Sequence, residues 1–149
     1  MEDKSTVRFR LVSIDNETIN QKFNEIISEK INEHTIKFQF KIKTIIKLSE
    51  DTIIVIPSLR YLFDNQMIFE ASADFNFSID TLGEAIEVDK DNKKINVKAN
   101  IFPSIIGAAY STLRGIAFVR SQNTPLSKYP APLIEIDTLL SKNGISVID

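Results

Sequence analysis

The chain has no cysteine, no tryptophan and one histidine, His34, among its 149 residues. Without cysteine, disulfides, thiolate metal ligands and a cysteine nucleophile are excluded, and a reducing compartment is favoured, so we expect a cytoplasmic protein. A single histidine excludes metal sites built on histidine pairs. A Ser-His-Asp triad would have to use His34, which stands at the start of a predicted strand and which we interpret as a solvated loop residue.

Long hydrophobic runs and clustered charge are also lacking. No stretch approaches the roughly 18 to 20 apolar residues of a membrane span, and MEDKSTVRFR lacks the apolar segment of a signal peptide. The 18 basic and 20 acidic residues are scattered and give a net charge of −2. We therefore expect neither a membrane nor a nucleic acid as partner. The nearest basic run, on one face of a predicted strand, is interpreted as solvated and comprises Lys37, Lys41, Lys43 and Lys47.

The four glycines are too dispersed to form a phosphate-binding loop or a dinucleotide fingerprint. Asp89, Asp91 and Asn92 stand at roughly calcium-loop spacing, but the glycine and closing glutamate of such a loop are missing. Glu70 and Asp74 would share the wet face of one strand, where we interpret them as solvated charges. We predict no metal, no cofactor and no enzymatic activity.

Hydrophobic residues make up 43% of the chain, which is typical of a globular protein and predicts one domain over residues 1–149. Alternating apolar and polar residues predict antiparallel strands with one buried face. Pro57 divides one of these runs, which predicts an edge strand or a break. The predicted strands cover residues 7–12, 36–43, 52–56 with 59–63, and 67–79.

Three segments have helical spacing of apolar residues. The first, residues 15–31, would be capped by Asp15 or Asn16. The second begins at Pro103 and would end at Gly115, leaving residues 116–119 as a short extension or strand. The third covers residues 138–142 and precedes a tail at Gly144. The expected fold is α+β, with a curved, antiparallel four-stranded sheet and a long C-terminal helix packed on one face.

Aromatic side chains are the most informative feature, with ten phenylalanines and three tyrosines. Tyr61, Phe63, Met67 and Phe69 flank one predicted turn. They form core, or some of them line an exposed apolar groove of the kind that marks a binding site. Periodicity does not separate the two interpretations.

The last third of the chain carries a series of short motifs in a characteristic order. Asn100-Ile101-Phe102-Pro103 precedes the long helix, and Thr112-Leu113-Arg114-Gly115 stands at its end. Ala131-Pro132 and residues 134–139 follow. The order and spacing of these motifs resemble the end of the SecB-like protein-export chaperones.

The resemblance implies a homodimer or homotetramer that binds unfolded polypeptides in an apolar groove without nucleotide or metal. Clients would be export substrates or antitoxins, with the translocase motor or toxin–antitoxin components as further partners. The groove residues would be Tyr61, Phe63, Met67, Phe69, Phe102 and Leu113. An oligomer interface would use Ile106, Ala109 and Tyr110, and an acidic partner surface would use Glu70 and Asp74.

Two other functions compete with this interpretation. One is a domain that encloses a small apolar ligand between sheet and helix. The other is a structural subunit whose apolar helix face is buried permanently in an oligomer. An enzyme ranks last, since no usable constellation of catalytic residues was found.

Overall fold

The computed structural model describes residues 8–89, 94–97 and 101–148. In chain order its elements are β1 (Phe9–Gln21), α1 (Glu25–Lys30), β2 (Ile36–Lys47), β3 (Thr52–Phe63), β4 (Gln66–Ile79), α2 (Leu82–Ala85), β5 (Ile86–Asp89), β6 (Lys94–Val97), α3 (Phe102–Arg120), α4 (Ile136–Ser141) and β7 (Asn143–Ile148). The fold is α+β, as predicted.

The main sheet has five strands in the order β1-β4-β3-β2-β7, and β5 pairs with β6 in a separate two-stranded ribbon. The first four strands of the main sheet are antiparallel, whereas β7 runs parallel to β2. The expected sheet of four antiparallel strands is therefore not confirmed. The tail predicted after Gly144 is wrong, because Asn143–Ile148 pairs with Ile42–Lys47.

The two central hairpins follow from local sequence. β3 and β4 are joined by Asp64 and Asn65, which both adopt left-handed backbone conformations with φ of 52° and 60°. Such a two-residue turn matches the natural twist of paired strands, and Asp and Asn tolerate it better than most residues. Asp51, with φ 48°, closes the turn between β2 and β3. The β2–β3 pairing is uninterrupted, whereas the β3–β4 pairing has a register shift between Tyr61 and Leu62, close to its turn.

Pro57 does not interrupt its strand. β3 is continuous and lies between β4 and β2, so the prediction of an edge or a break was wrong. The register with β2 runs through Pro57↔Ile42, while the register with β4 has no pair between Val55↔Phe75 and Ser58↔Ser72. The missing N–H of proline is thus accommodated by a local gap on the β4 side.

The helix predicted over residues 15–31 is mostly wrong. β1 continues to Gln21, because β4 is long enough to pair with it down to Gln21↔Phe69. Asn16, the predicted cap, instead has φ 53° within an irregularity of β1. Only Glu25–Lys30 is helical, and its cap is the Asn24 side chain, which accepts a hydrogen bond from the Ile27 N–H.

α3 packs on β3 and β4 and covers one face of the sheet. It begins with Pro103 in its first turn, as predicted, but continues through Gly115 to Arg120. An 18-residue window of α3 has a mean hydropathy of 1.2, so by length and composition it passes as a membrane span, contrary to the sequence expectation. Its packing is that of a core helix, because seven of its side chains are buried.

Candidate functional site

The residues predicted to line a client groove are largely core. Phe69 and Leu113 are fully buried, and Tyr61 and Phe102 are 5% and 7% exposed. Phe63 and Met67 are half-buried. The structure brings Tyr61 and Phe69 together in an edge-to-face contact with ring centroids 6.1 Å apart. In this conformation α3 and the sheet enclose these side chains, and a client would not reach most of them.

The residues predicted for an oligomer interface are also internal. Ile106 and Ala109 are fully buried and Tyr110 is 3% exposed. Tyr110 contacts Phe40 of β2, with ring centroids 6.1 Å apart. This face of α3 is therefore used inside the chain, and a second copy would have to bind elsewhere.

Three side chains fasten the proline-containing segment after α3 to the domain. The Tyr61 hydroxyl donates to the Tyr129 carbonyl at 2.6 Å, and the Tyr110 hydroxyl donates to the Pro132 carbonyl at 2.8 Å. Arg114 Nε donates to the Ala131 carbonyl at 2.6 Å. We call these three residues the carbonyl clamp. It satisfies main-chain carbonyls that no sheet or helix partner would otherwise satisfy.

The two tyrosines of the carbonyl clamp have no role as acids or bases near neutral pH. Burial raises the pKa of Tyr61 to about 12, and the neighbouring Tyr110 adds to this shift. Burial likewise raises the pKa of Tyr110 to about 12, against the opposing charge of Arg114. Both hydroxyls stay protonated and act as hydrogen-bond donors.

The predicted acidic surface lies on the face of the sheet opposite to α3, but it is partly neutralised. Glu70 accepts a hydrogen bond from Arg60 Nε at 2.7 Å in an ion pair. Asp74 accepts from the Asn16 side-chain amide at 2.7 Å. Asp15, which sequence reasoning did not select, lies directly across from Asp74 in the register of β1 and β4.

The described residues that were considered for catalysis or metal binding do not lie together. The His34 side chain is 86% exposed and lies 3.4 Å from Glu33. Within residues 8–89, 94–97 and 101–148, no three His, Asp or Glu side chains converge as a metal site requires. Asp91 and Asn92 of the calcium-like spacing, and Asn100 of the helix-entrance motif, lie outside the described residues.

A row of accessible apolar side chains lies on β1. Phe9, Leu11 and Ile14 point to the same side of the sheet as α3, since they pair with Ile79, Phe77 and Phe75 of β4. α3 does not cover them, and they are 37%, 42% and 40% exposed.

The end of α3 approaches β1 further along the strand, at Glu17 and Gln21. Arg120 Nε donates to Glu17 of β1 at 3.0 Å, and the Gln21 side chain donates to the Arg120 carbonyl at 3.2 Å. A groove of about 470 Å³ lies beside this junction, lined by Glu17, Gly115, Ile116, Val119 and Arg120. We name the combined region the β1–α3 surface, defined by Phe9, Leu11, Ile14, Ile116 and Val119.

β1 also has a free edge. It pairs with β4 on one side, and no described strand pairs with its other side. The alternation of residues 7–12 predicted a half-buried strand, but burial depends on how far α3 reaches across the sheet. The sequence feature that bears on this region is the apolar run of residues 116–119, which was predicted only as a short extension or strand.

Comparison with known proteins assigns no family. No protein-family model matches the chain, and no curated protein is significantly similar to it. The function therefore has to be argued from the geometry.

Proposed function

We propose that the chain is an ATP-independent, chaperone-like protein that binds extended apolar segments of non-native polypeptides at the β1–α3 surface. The observation that supports this most strongly is a 13-residue strand that no described strand pairs on one side, on which Phe9, Leu11 and Ile14 are about 40% exposed. A groove lies further along the same strand, at its junction with α3. An unpaired strand is a template for another extended chain.

Two interactions would hold a client there. Main-chain hydrogen bonds to the free edge of β1 would bind any extended sequence, and burial of apolar side chains on Leu11 and Ile14 would add about 25 cal/mol per Å². β1 has register shifts between Leu11 and Ser13 and between Asp15 and Thr18. Such irregularities limit the length of strand that can pair, which favours reversible capture over continued growth of the sheet.

The SecB-like resemblance supports the class of function but not the residues first chosen for it. A sheet with a long helix on one face agrees with the expected architecture. The binding surface proposed now lies beyond the edge of α3, whereas Tyr61, Phe69 and Leu113 are under it. A cytoplasmic homodimer or homotetramer, with export or antitoxin clients, completes the proposal.

A structural oligomer subunit is the second candidate. The same free edge and exposed Phe9, Leu11 and Ile14 would then be buried permanently against another copy. This candidate predicts that the β1–α3 surface is never open to a client.

The proposal is tested by suppression of aggregation of a slowly refolding model protein, with the oligomer mass measured by light scattering. We expect suppression without ATP at near-stoichiometric amounts. A Leu11→Ser/Ile14→Ser variant should lose most of it, because the apolar strip becomes polar. Leu133→Ser/Ile26→Ser is the matched control, since these two side chains are 82% and 63% exposed outside the β1–α3 surface.

Each outcome separates the candidates. Wild-type suppression that both double variants retain would place client binding elsewhere and would contradict the proposed surface. A stable oligomer that never suppresses aggregation, and that dissociates in the Leu11→Ser/Ile14→Ser variant, would support the structural subunit instead.

A further inference from the structure

β2 has a second unpaired edge at the opposite side of the sheet. β7 pairs only with Ile42–Lys47, so residues 37–41 of β2 have a partner in β3 but no described strand on their other side. Alternate residues of this segment direct their N–H and C=O groups away from β3. The vacant position is therefore one strand wide and about five residues long.

A groove of about 430 Å³ occupies this vacant position. It is lined by Phe38, Gln39, Phe40, Lys41 and Lys142. Lys142 directly precedes β7, so the groove lies next to β2 just before the point where β7 joins the sheet.

The two sides of the vacant position differ in chemistry. On the side of α3, Phe38 and Phe40 present stacked rings whose centroids are 6.4 Å apart, and both are half-buried. Phe38 contacts Tyr61 edge to face with ring centroids 5.6 Å apart, and Phe40 contacts Tyr110 in the same way with centroids 6.1 Å apart. An extended chain at this edge would place every second side chain against this aromatic pair.

The other side carries positive charge. Lys37, Lys41 and Lys43 are exposed on the open face of the sheet. Among the described residues none of the three forms an ion pair, whereas the other basic residue of this row, Lys47, is bound to Glu50 at 3.6 Å. Their cross-strand neighbours Leu62, Ser58 and Ile56 carry no charge. No described acidic side chain therefore neutralises the charges of Lys37, Lys41 and Lys43. Alternate positions along the row are about 7 Å apart, because a strand rises about 3.3 Å per residue.

We propose that this edge of β2 binds an extended segment of another protein in which apolar residues alternate with acidic ones. The apolar side chains pack on Phe38 and Phe40, the acidic side chains face Lys37 and Lys41, and the main chain pairs with residues 37–41. The positive charge distinguishes this site from the β1–α3 surface. The two sites also lie on different strands, three strand spacings or about 14 Å apart across the sheet. The inference does not depend on the function proposed above.

The test uses a labelled octapeptide of alternating valine and glutamate, capped at both ends, in a fluorescence anisotropy titration at about 50 mM salt. We expect saturable binding that weakens as salt rises, because exposed charges are screened. A valine–lysine octapeptide should not bind, and neither should a valine–glutamate peptide with the two residue types in separate blocks. Lys37→Glu/Lys41→Glu should weaken binding about tenfold or more.

The control variant is Lys30→Glu/Lys128→Glu, which changes the net charge equally at two exposed lysines of α1 and of the proline-containing segment. It should bind the peptide as the wild type does. Hydrogen exchange gives a second readout, in which the peptide should protect amides of residues 37–41 and leave those of β1 unchanged.

Three results would overturn the inference: no binding of the alternating acidic peptide, equal binding of the block peptide, or protection at β1 instead of β2. The lysines would then serve only to keep a free edge from pairing with other chains. Failure here is distinguishable from failure of the chaperone-like function, since Leu11→Ser/Ile14→Ser should keep peptide binding and Lys37→Glu/Lys41→Glu should keep suppression of aggregation.

Discussion

β4 and β1 are neighbouring strands of nearly the same length, but their inward side chains differ in exposure. On β4 the inward side chains Phe75 and Phe77 are at most 2% exposed. Their partners across the ladder, Ile14 and Leu11 on β1, are about 40% exposed. The difference arises because α3 lies over β3 and β4 and stops short of β1 along most of its length.

The comparison indicates that the reach of α3 across the sheet decides which of these apolar side chains are core and which remain exposed. Both strands are apolar on the same face of the sheet, and the helix supplies the second layer for only one of them. The end of α3 approaches β1 through Arg120 and Glu17. The β1–α3 surface is this boundary.

The largest difference between the strands is expected in stability. Phe75→Ala should lower the free energy of unfolding by about 3 to 5 kcal/mol, because it leaves a cavity beneath α3. Leu11→Ala should cost less than about 1 kcal/mol, since its side chain is already partly solvated. Urea denaturation monitored by circular dichroism measures both. Comparable losses at the two positions would show that Leu11 is buried in solution, as in an oligomer that uses β1.

A smaller change in the free energy of unfolding is expected at high pH. It arises from the two tyrosines buried between α3 and the sheet. Tyr61 and Tyr110 hold their protons to about pH 12 in the folded chain, whereas unfolded tyrosine loses its proton near pH 10. Both raised pKa values stabilise the fold below pH 10, and this stabilisation is lost as the pH rises from 10 to 12. It amounts to roughly 2 to 3 kcal/mol per group at most.

The measurement compares urea denaturation at several pH values between 9 and 12 for the wild type and Tyr61→Phe/Tyr110→Phe. The variant should be less stable near neutral pH, because two hydrogen bonds to carbonyls are lost. Its stability should also fall less steeply above pH 10. Equal slopes in the two proteins would show that burial does not hold these hydroxyls protonated.

Much of the sheet could be predicted because period-two alternation is a direct consequence of strand geometry. β2, β4 and the hairpin turn at Asp64 and Asn65 were identified in this way. Alternation does not predict how far α3 extends across the sheet. Phe69 and Leu11 lie on the same side of the sheet, but Phe69 is on a strand with partners on both sides and Leu11 is on an edge strand that α3 does not cover.

The errors share a physical cause, which is pairing with a distant segment. Residues 15–21 have helical spacing, but β4 pairs with Asp15 and with residues 18–21. Pro57 lies in a central strand because its missing donor falls in a gap toward β4. β7 is short and parallel to a strand about a hundred residues earlier, where the buried Thr44 hydroxyl donates to Asn143 at 2.6 Å. Local sequence contains none of these partners.

The most direct test of the β1–α3 surface is hydrogen exchange on the whole chain, with and without an equimolar unfolded client. We expect the amides of residues 9–14 that point away from β4 to exchange readily without the client, since no described strand pairs with that edge, and to become protected when the client is present. Residues within β3 and β4 should not change. Protection of these outward-pointing amides before any client is added, or client-induced protection confined to the rest of the chain, would contradict client binding at the β1–α3 surface.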